Sequence, residues 1–108
     1  MKPKEIRLFD FVEGRSVKVQ REIAAIKGDR PGPGIVFIGG MHGNEPTGVL
    51  ALYRVMQQLE QLRPLLSGNV YALTGNLTAL ERGERFIVND LNRIWQADMV
   101  ERARKKDY

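Results

Sequence analysis

The sequence contains no cysteine and only one histidine among its 108 residues. Disulfide bonds therefore cannot stabilise the fold, and no thiolate can act as a metal ligand or nucleophile. A metal site in this chain would have to combine the single imidazole, His42, with carboxylates.

Long apolar runs are also lacking, since none approaches the roughly 20 residues that a membrane-spanning helix requires. The N-terminal sequence Met1-Lys2-Pro3-Lys4-Glu5 is charged and is not followed by the apolar core and small-residue cleavage site of a signal peptide. We expect a cytoplasmic protein with no membrane contact.

Charge of one sign forms no extended block. Lys and Arg total 17 against 13 for Asp and Glu, and the resulting net charge of +4 is spread along the chain. No recognised nucleic-acid module accompanies this charge, so we expect no nucleic-acid partner. The hydrophobic fraction of 43% is typical of globular proteins, and the length predicts a single domain over residues 1–108.

The first part of the chain has the pattern of β-strands. Apolar and polar residues alternate in stretches of 5–13 and 16–27, and Glu13-Gly14-Arg15 predicts a turn between them. The Gly- and Pro-rich segment 28–34 predicts a loop. The run Ile35-Val36-Phe37-Ile38 is apolar at every position, which predicts a strand buried on both faces of a sheet.

A helix is predicted from Pro46 to about Leu62, because apolar residues recur there at helical spacing: Val49, Leu52, Tyr53, Met56, Leu59 and Leu62. Residues 69–73 predict a further strand, 77–82 one or two helical turns, and the charged end from about residue 97 a helix. The order strand, helix, strand predicts a parallel crossover in an α/β fold with a mixed sheet. Ligands of such folds bind where the strands end, here at 39–45 and 74–76.

The first strand exit carries His42 and Glu45, three positions apart in a glycine-rich turn. This spacing can bring an imidazole and a carboxylate to one side, as two zinc ligands require. The alternative interpretation is a simple turn from strand to helix.

Two motifs give the sequence a family resemblance. The string Gly-Gly-Met-His-Gly-Asn-Glu-Pro-Thr-Gly at 39–48, and Asp-Leu-Asn-Arg at 90–93 followed by Ile94 and Trp95, resemble the two N-terminal motifs of the succinylglutamate desuccinylase/aspartoacylase family, relatives of the zinc carboxypeptidases. The resemblance covers roughly residues 15–95. It implies the N-terminal part of a zinc-carboxypeptidase-like (phosphorylase/hydrolase-like) fold.

The resemblance also implies roles for individual residues. His42 and Glu45 would bind a catalytic Zn²⁺, Arg85 would polarise the scissile carbonyl and stabilise the oxyanion, and Asn92 and Arg93 would bind substrate. Guanidinium groups suit these roles because they form paired hydrogen bonds with carboxylates. Asp90 would support the loop. The alternative for Arg85 and Arg93 is pairing with Asp90 or Glu84 on an exposed surface, which stabilises little.

The sequence departs from the family pattern in three respects. Leu77 follows Asn76 where the family commonly has proline, so Asn76 is interpreted first as a turn residue. The family's third zinc ligand, a histidine, and its general base, a glutamate, both lie further along than this chain extends. Family members are typically two to three times longer, so we expect an incomplete sheet with an exposed edge, and a homodimer would bury that edge.

The function that the resemblance implies is zinc-dependent hydrolysis of the amide bond of an N-acyl amino acid, such as N-acetylaspartate or N-succinylglutamate. One alternative is a zinc carboxypeptidase that acts on peptides. The other is a catalytically silent fragment or binding module, which the missing third ligand favours.

Overall fold

The computed structural model describes residues 4–87, 90, 93, 95–98, 100 and 101. Its strands are β1 (Ile6–Asp10), β2 (Arg15–Val19), β3 (Glu22–Lys27), β4 (Arg30–Gly39) and β5 (Ser67–Thr74). Its helices are α1 (Thr47–Gln61) and α2 (Leu77–Arg82), and a 3₁₀ turn at Arg63–Leu65 follows α1.

Strands β1 and β2 form an antiparallel hairpin that is separate from the main sheet. The turn was expected at 13–15, and Gly14 lies in it with a positive φ of 66°. Oδ1 of Asp10 accepts hydrogen bonds from the backbone N–H groups of Val12 and Glu13. The single strand expected over 16–27 was wrong, because β2 ends at Val19 and β3 pairs instead with β5.

The main sheet has the strand order β3-β5-β4. Strand β5 is antiparallel to β3 and parallel to β4. Helix α1 connects the two parallel strands, so the predicted strand, helix, strand crossover and the mixed sheet of an α/β fold are confirmed.

Strand β4 differs from the prediction in its extent and in its burial. It begins at Arg30 and so includes most of the segment expected to be a loop, with a register shift between Arg30 and Gly34. Its apolar run is 43 to 53% exposed, so the expectation of burial on both faces was wrong. The reason is position, since β4 lies at the edge of the described sheet.

Helix α1 begins one residue after Pro46 and ends before Pro64, close to the predicted bounds. Val49 and Met56 of its predicted apolar stripe are buried, whereas Leu62 lies just beyond the helix and is 46% exposed. Among the described residues, no helix has the length and apolar character to cross a membrane.

Within the described part of the chain, two clusters of buried apolar side chains form the core. The first joins the hairpin to both helices and contains Ile6, Val19, Val49, Leu77 and Leu80. The second lies between α1 and the sheet and contains Ile26, Met56 and Ala72. Val49, at the start of α1, therefore fixes the helix terminus next to the exits of β4 and β5.

Candidate metal and substrate site

The exits of the two parallel strands are hydrogen-bonded to each other. The N–H of Gly75 donates to the carbonyl of Gly39 at 2.7 Å, and the N–H of Asn76 donates to the carbonyl of Gly40 at 2.8 Å. Asn76 also caps α2, because its Oδ1 accepts from the N–H of Ala79 at 3.0 Å. The interpretation of Asn76 as a turn residue fits this geometry.

Glycines allow the chain after β4 to turn tightly into α1. Gly40 has a φ of 73°, in the left-handed region that favours glycine. Gly43 is so closely packed that a Cβ atom there would lie 2.1 Å from the carbonyl carbon of Ala79 and 2.3 Å from the carbonyl oxygen of Glu84. Its N–H donates to the carbonyl of Arg85 at 3.1 Å, which ties the His42 turn to the segment after α2.

His42 and Glu45 meet at this turn. Nδ1 of His42 lies 3.3 Å from Oε2 of Glu45, and their side chains are 11% and 67% exposed respectively. Two ligands of a tetrahedral zinc ion, each about 2.1 Å from the metal, are separated by roughly 3.4 Å. The donor atoms and their separation therefore fit two positions of a zinc coordination sphere.

The other nitrogen of His42 contacts a second acidic residue, Asp90. Nε2 lies 2.9 Å from Oδ1 of Asp90, whose side chain is 9% exposed. If Nε2 carries the proton and donates it to Asp90, the lone pair of Nδ1 faces Glu45. Metal-binding histidines commonly have this arrangement, in which a carboxylate fixes the ring orientation and the tautomer.

Asp90 also contacts both arginines that the sequence singled out. Nε of Arg85 and Nε of Arg93 each lie 3.5 Å from Oδ2 of Asp90. The two arginine side chains are 49% and 76% exposed, whereas Asp90 is nearly buried. The expected alternative of pairing with Asp90 is thus present in the structure, and the same carboxylate places both guanidinium groups close to His42.

The site in the described residues contains fewer ligands than a catalytic zinc ion needs. Within the part of the chain that the structure describes, no group of three or more His, Cys, Asp or Glu side chains is placed to hold a metal ion. Asn92, the other predicted substrate-binding residue, lies outside the described residues. The direct contact between Asp90 and His42 was not predicted, although the position of Asp90 beside Arg93 in the second motif was a signal for a role in the site.

The sequence matches a known protein family over most of its length. The family model for the succinylglutamate desuccinylase/aspartoacylase catalytic domain matches residues 31–108. The chain therefore belongs to this family, and the relatives it matches carry the names of hydrolases. The match includes the His42 turn and the Asp90 segment.

Two of these relatives show the extent of the similarity. A probable aspartoacylase from Nostoc sp. is 32% identical over 74 residues, which cover 68% of this chain and 25% of the relative. A succinylglutamate desuccinylase from Pseudomonas paraeruginosa is 34% identical over 76 residues, which cover 68% of this chain and 22% of the relative. The chain thus spans about a quarter of the length of the curated relatives it matches. No solved structure gives a significant match.

Proposed function

We propose that this chain provides the first part of a zinc-dependent site that hydrolyses the amide bond of an N-acyl amino acid. One observation carries the proposal: Nδ1 of His42 and Oε2 of Glu45 lie 3.3 Å apart, while Nε2 of the same ring is held by Asp90 at 2.9 Å. The 3.3 Å separation suits two zinc ligands, and the contact with Asp90 suits a partner that orients the histidine ligand.

Zinc, when bound, supplies Lewis acidity, which polarises a carbonyl group and makes water a stronger acid. His42 and Glu45 would hold the ion. Asp90 would keep the imidazole in the tautomer that has a lone pair on Nδ1. The fold that the proposal implies is the N-terminal part of a zinc-carboxypeptidase-like domain.

Arg85 and Arg93 would bind the anionic parts of the substrate. Both are cations that contact the same carboxylate as His42, so an N-acyl amino acid at the zinc site would lie close to two positive charges. A guanidinium can hold a substrate carboxylate through two hydrogen bonds, and a cation near a developing oxyanion lowers the barrier to hydrolysis. We assign the oxyanion role to Arg85 and substrate binding to Arg93 and Asn92.

A zinc titration tests the metal site. Metal analysis and competitive titration on the purified chain should give one zinc per molecule, and both His42→Ala and Glu45→Gln should lose it. Glu60→Gln is a matched control, because Glu60 is an exposed carboxylate near the far end of α1. Equal binding by the wild type and His42→Ala would refute a zinc site at this turn.

A substrate panel tests the reaction. A complete catalytic domain that contains this chain should release the amino acid from N-acetylaspartate or N-succinylglutamate faster than it cleaves C-terminal residues from peptides. Preferential peptide cleavage would instead support the zinc carboxypeptidase alternative.

The catalytically silent binding module is favoured by one observation. No group of three or more His, Cys, Asp or Glu side chains is placed to hold a metal ion among the described residues, whereas a catalytic zinc site normally has three protein ligands. Zinc binding at His42 without turnover of any substrate in the panel would support this alternative.

A further inference from the structure

Arg21 lies at the same end of the sheet as the His42 turn, in the short link between β2 and β3. Strand β3 is antiparallel to β5, so the start of β3 is next to the end of β5. Nη1 of Arg21 donates hydrogen bonds to the carbonyl oxygens of Thr74 at 3.3 Å and Gly75 at 2.5 Å. One guanidinium nitrogen thus contacts two successive carbonyls where β5 ends.

Each of these carbonyls belongs to a peptide unit whose N–H donates a hydrogen bond to the backbone at the end of β4. The carbonyl of Thr74 shares a peptide plane with the N–H of Gly75, which donates to the carbonyl of Gly39. The carbonyl of Gly75 shares a plane with the N–H of Asn76, which donates to the carbonyl of Gly40. Because a peptide unit is rigid and planar, fixing its carbonyl also fixes the direction of its N–H.

The charge of Arg21 strengthens both contacts. Hydrogen bonds from a guanidinium are stronger than those between neutral groups. A cation on the carbonyl side also polarises the peptide, so the N–H on the opposite side becomes a better donor. Arg21 therefore strengthens the hydrogen bonds to the carbonyls of Gly39 and Gly40, because it binds the carbonyl group of each donating peptide unit.

The backbone of Arg21 is itself fixed to the same segment. The N–H of Thr74 donates to the carbonyl of Arg21 at 2.7 Å, and Oγ1 of Thr74 donates to the carbonyl of Gln20 at 2.7 Å. Thr74 is 1% exposed, so water competes little for these bonds.

The segment that Arg21 holds is in contact with the residues just before His42. A Cβ atom on Gly75 would lie 2.9 Å from the carbonyl oxygen of Gly40 and 3.0 Å from Cα of Met41. A displacement of the Gly75 peptide would therefore be transmitted to Gly40 and Met41, and so to the backbone of His42.

We propose that Arg21 is a positioning residue for the His42 turn, and that it acts through the peptide units between Thr74 and Asn76. The inference rests on the proposed zinc site for its functional meaning. Arg21 lies outside the residues that the family model matches, 31–108, so it is an addition to the two motifs.

Three variants test the proposal in metal titrations. Arg21→Met removes both hydrogen bonds and the charge, Arg21→Lys retains a cationic donor, and Lys27→Met is the control. Lys27 is exposed and lies at the far end of β3, the strand that begins directly after Arg21. We expect Arg21→Met to weaken zinc binding by about tenfold, the lower end of the loss when outer partners of a metal ligand are removed. Arg21→Lys should recover part of the loss, and Lys27→Met should bind as the wild type does.

Two spectroscopic measurements separate positioning from general stability. Cobalt(II) bound in place of zinc should give an altered absorption spectrum in Arg21→Met but not in Lys27→Met. In the metal-free protein, the amide resonances of Gly75, Asn76 and Met41 should shift in Arg21→Lys. This second measurement uses a variant that retains the charge, so it remains decisive if Arg21→Met does not fold.

Unchanged zinc affinity and an unchanged cobalt spectrum in folded Arg21→Met would overturn the proposal, as would an equal loss in Lys27→Met. If Arg21→Met does not fold, unchanged amide resonances in Arg21→Lys would overturn it. Failure of the wild type to bind zinc at His42 would refute the proposed function instead. Shifts of the metal-free resonances would then still support the link between Arg21 and the turn.

Discussion

Nε2 of His42 lies 2.9 Å from Oδ1 of Asp90, a residue 48 positions later in the chain. This contact joins the turn after β4 to the segment that contains Arg93. It also assigns different tasks to the two carboxylates around the imidazole, because Asp90 is at Nε2 and Glu45 is at Nδ1. Glu45 is the more exposed of the two, so in the proposed zinc site Glu45 would be the ligand and Asp90 the partner that orients His42.

Replacement of Asp90 should weaken metal binding without removing a ligand. Asp90→Asn keeps the size of the side chain but removes the charge that favours a proton on Nε2 of His42. We expect zinc affinity to fall by about 10-fold or more, as is usual when the carboxylate behind a metal-binding histidine is lost. Competitive zinc titration measures this, with the exposed Asp98→Asn as control. Equal affinities of the two variants would contradict the role of Asp90.

A paired glycine experiment tests the packing of the His42 turn. In Gly43→Ala the new Cβ would overlap the backbone of Ala79, whereas in Gly48→Ala the nearest atom is 3.9 Å away. Gly43→Ala should cost about 2 kcal/mol or more in the free energy of unfolding through overpacking. Gly48→Ala, within α1, should stabilise by about 0.5 to 1 kcal/mol. Urea unfolding compares them, and similar stability of the two variants would contradict the tight approach.

Asn76 should contribute to stability as the cap of α2. Asn76→Ala removes the acceptor for the N–H of Ala79, with an expected cost of about 1 kcal/mol in the free energy of unfolding. Asn76→Asp keeps an acceptor and should retain most of that stability. Urea unfolding of both variants checks this, and a loss of equal size in Asn76→Asp would argue against capping.

Stability should fall at high pH through Tyr53. Burial is the main cause that raises the pKa of Tyr53 above its ordinary value of 10.0, although a hydrogen bond from the N–H of Gln20 opposes the shift. A raised pKa in the folded state means that the contribution to stability is complete below pH 10 and is lost as the pH rises through the folded pKa. Urea unfolding from pH 8 to 11 should show a steeper fall for the wild type than for Tyr53→Phe. Parallel curves would contradict this prediction.

The exposed edge strand should promote association between chains. Val36 in β4 is 53% exposed, and an apolar edge strand can pair with a second copy. We expect a homodimer or higher association at high concentration, and a shift toward monomer in Val36→Lys, because a charged side chain on an edge disfavours pairing. Val55→Lys, on the surface of α1 with 46% exposure, is the control. Light scattering after size-exclusion chromatography measures the mass, and equal masses for the two variants would contradict pairing through β4.

The helices and strands that depend on local sequence could be predicted, whereas the strands with which they pair could not. The apolar spacing in α1 and the glycine and proline residues around it marked the helix to within a residue or two. The run at 35–38 was correctly predicted as a strand, but its burial depends on which strands flank it. The break between β2 and β3 has no strong local signal, because β3 is defined by pairing with β5, far along the chain.

The candidate site shows the same division. The spacing of His42 and Glu45 was sufficient to predict that they lie together, since three residues in a tight turn leave little freedom. The contact of His42 with Asp90 depends on how two distant segments pack, and so no local pattern contained it. Arg21 was missed because its partners are backbone carbonyls, which every sequence has.

The order of strands in the main sheet has a consequence for how the chain folds as it is made. Strand β5 lies between β3 and β4, although it is the last of the three to be synthesised. Until Ser67–Thr74 has left the ribosome, β3 and β4 have no shared neighbour, and the apolar run of β4 has no sheet to join. A nascent chain that stops in α1 therefore has both outer strands of the described main sheet but lacks the central strand that joins them.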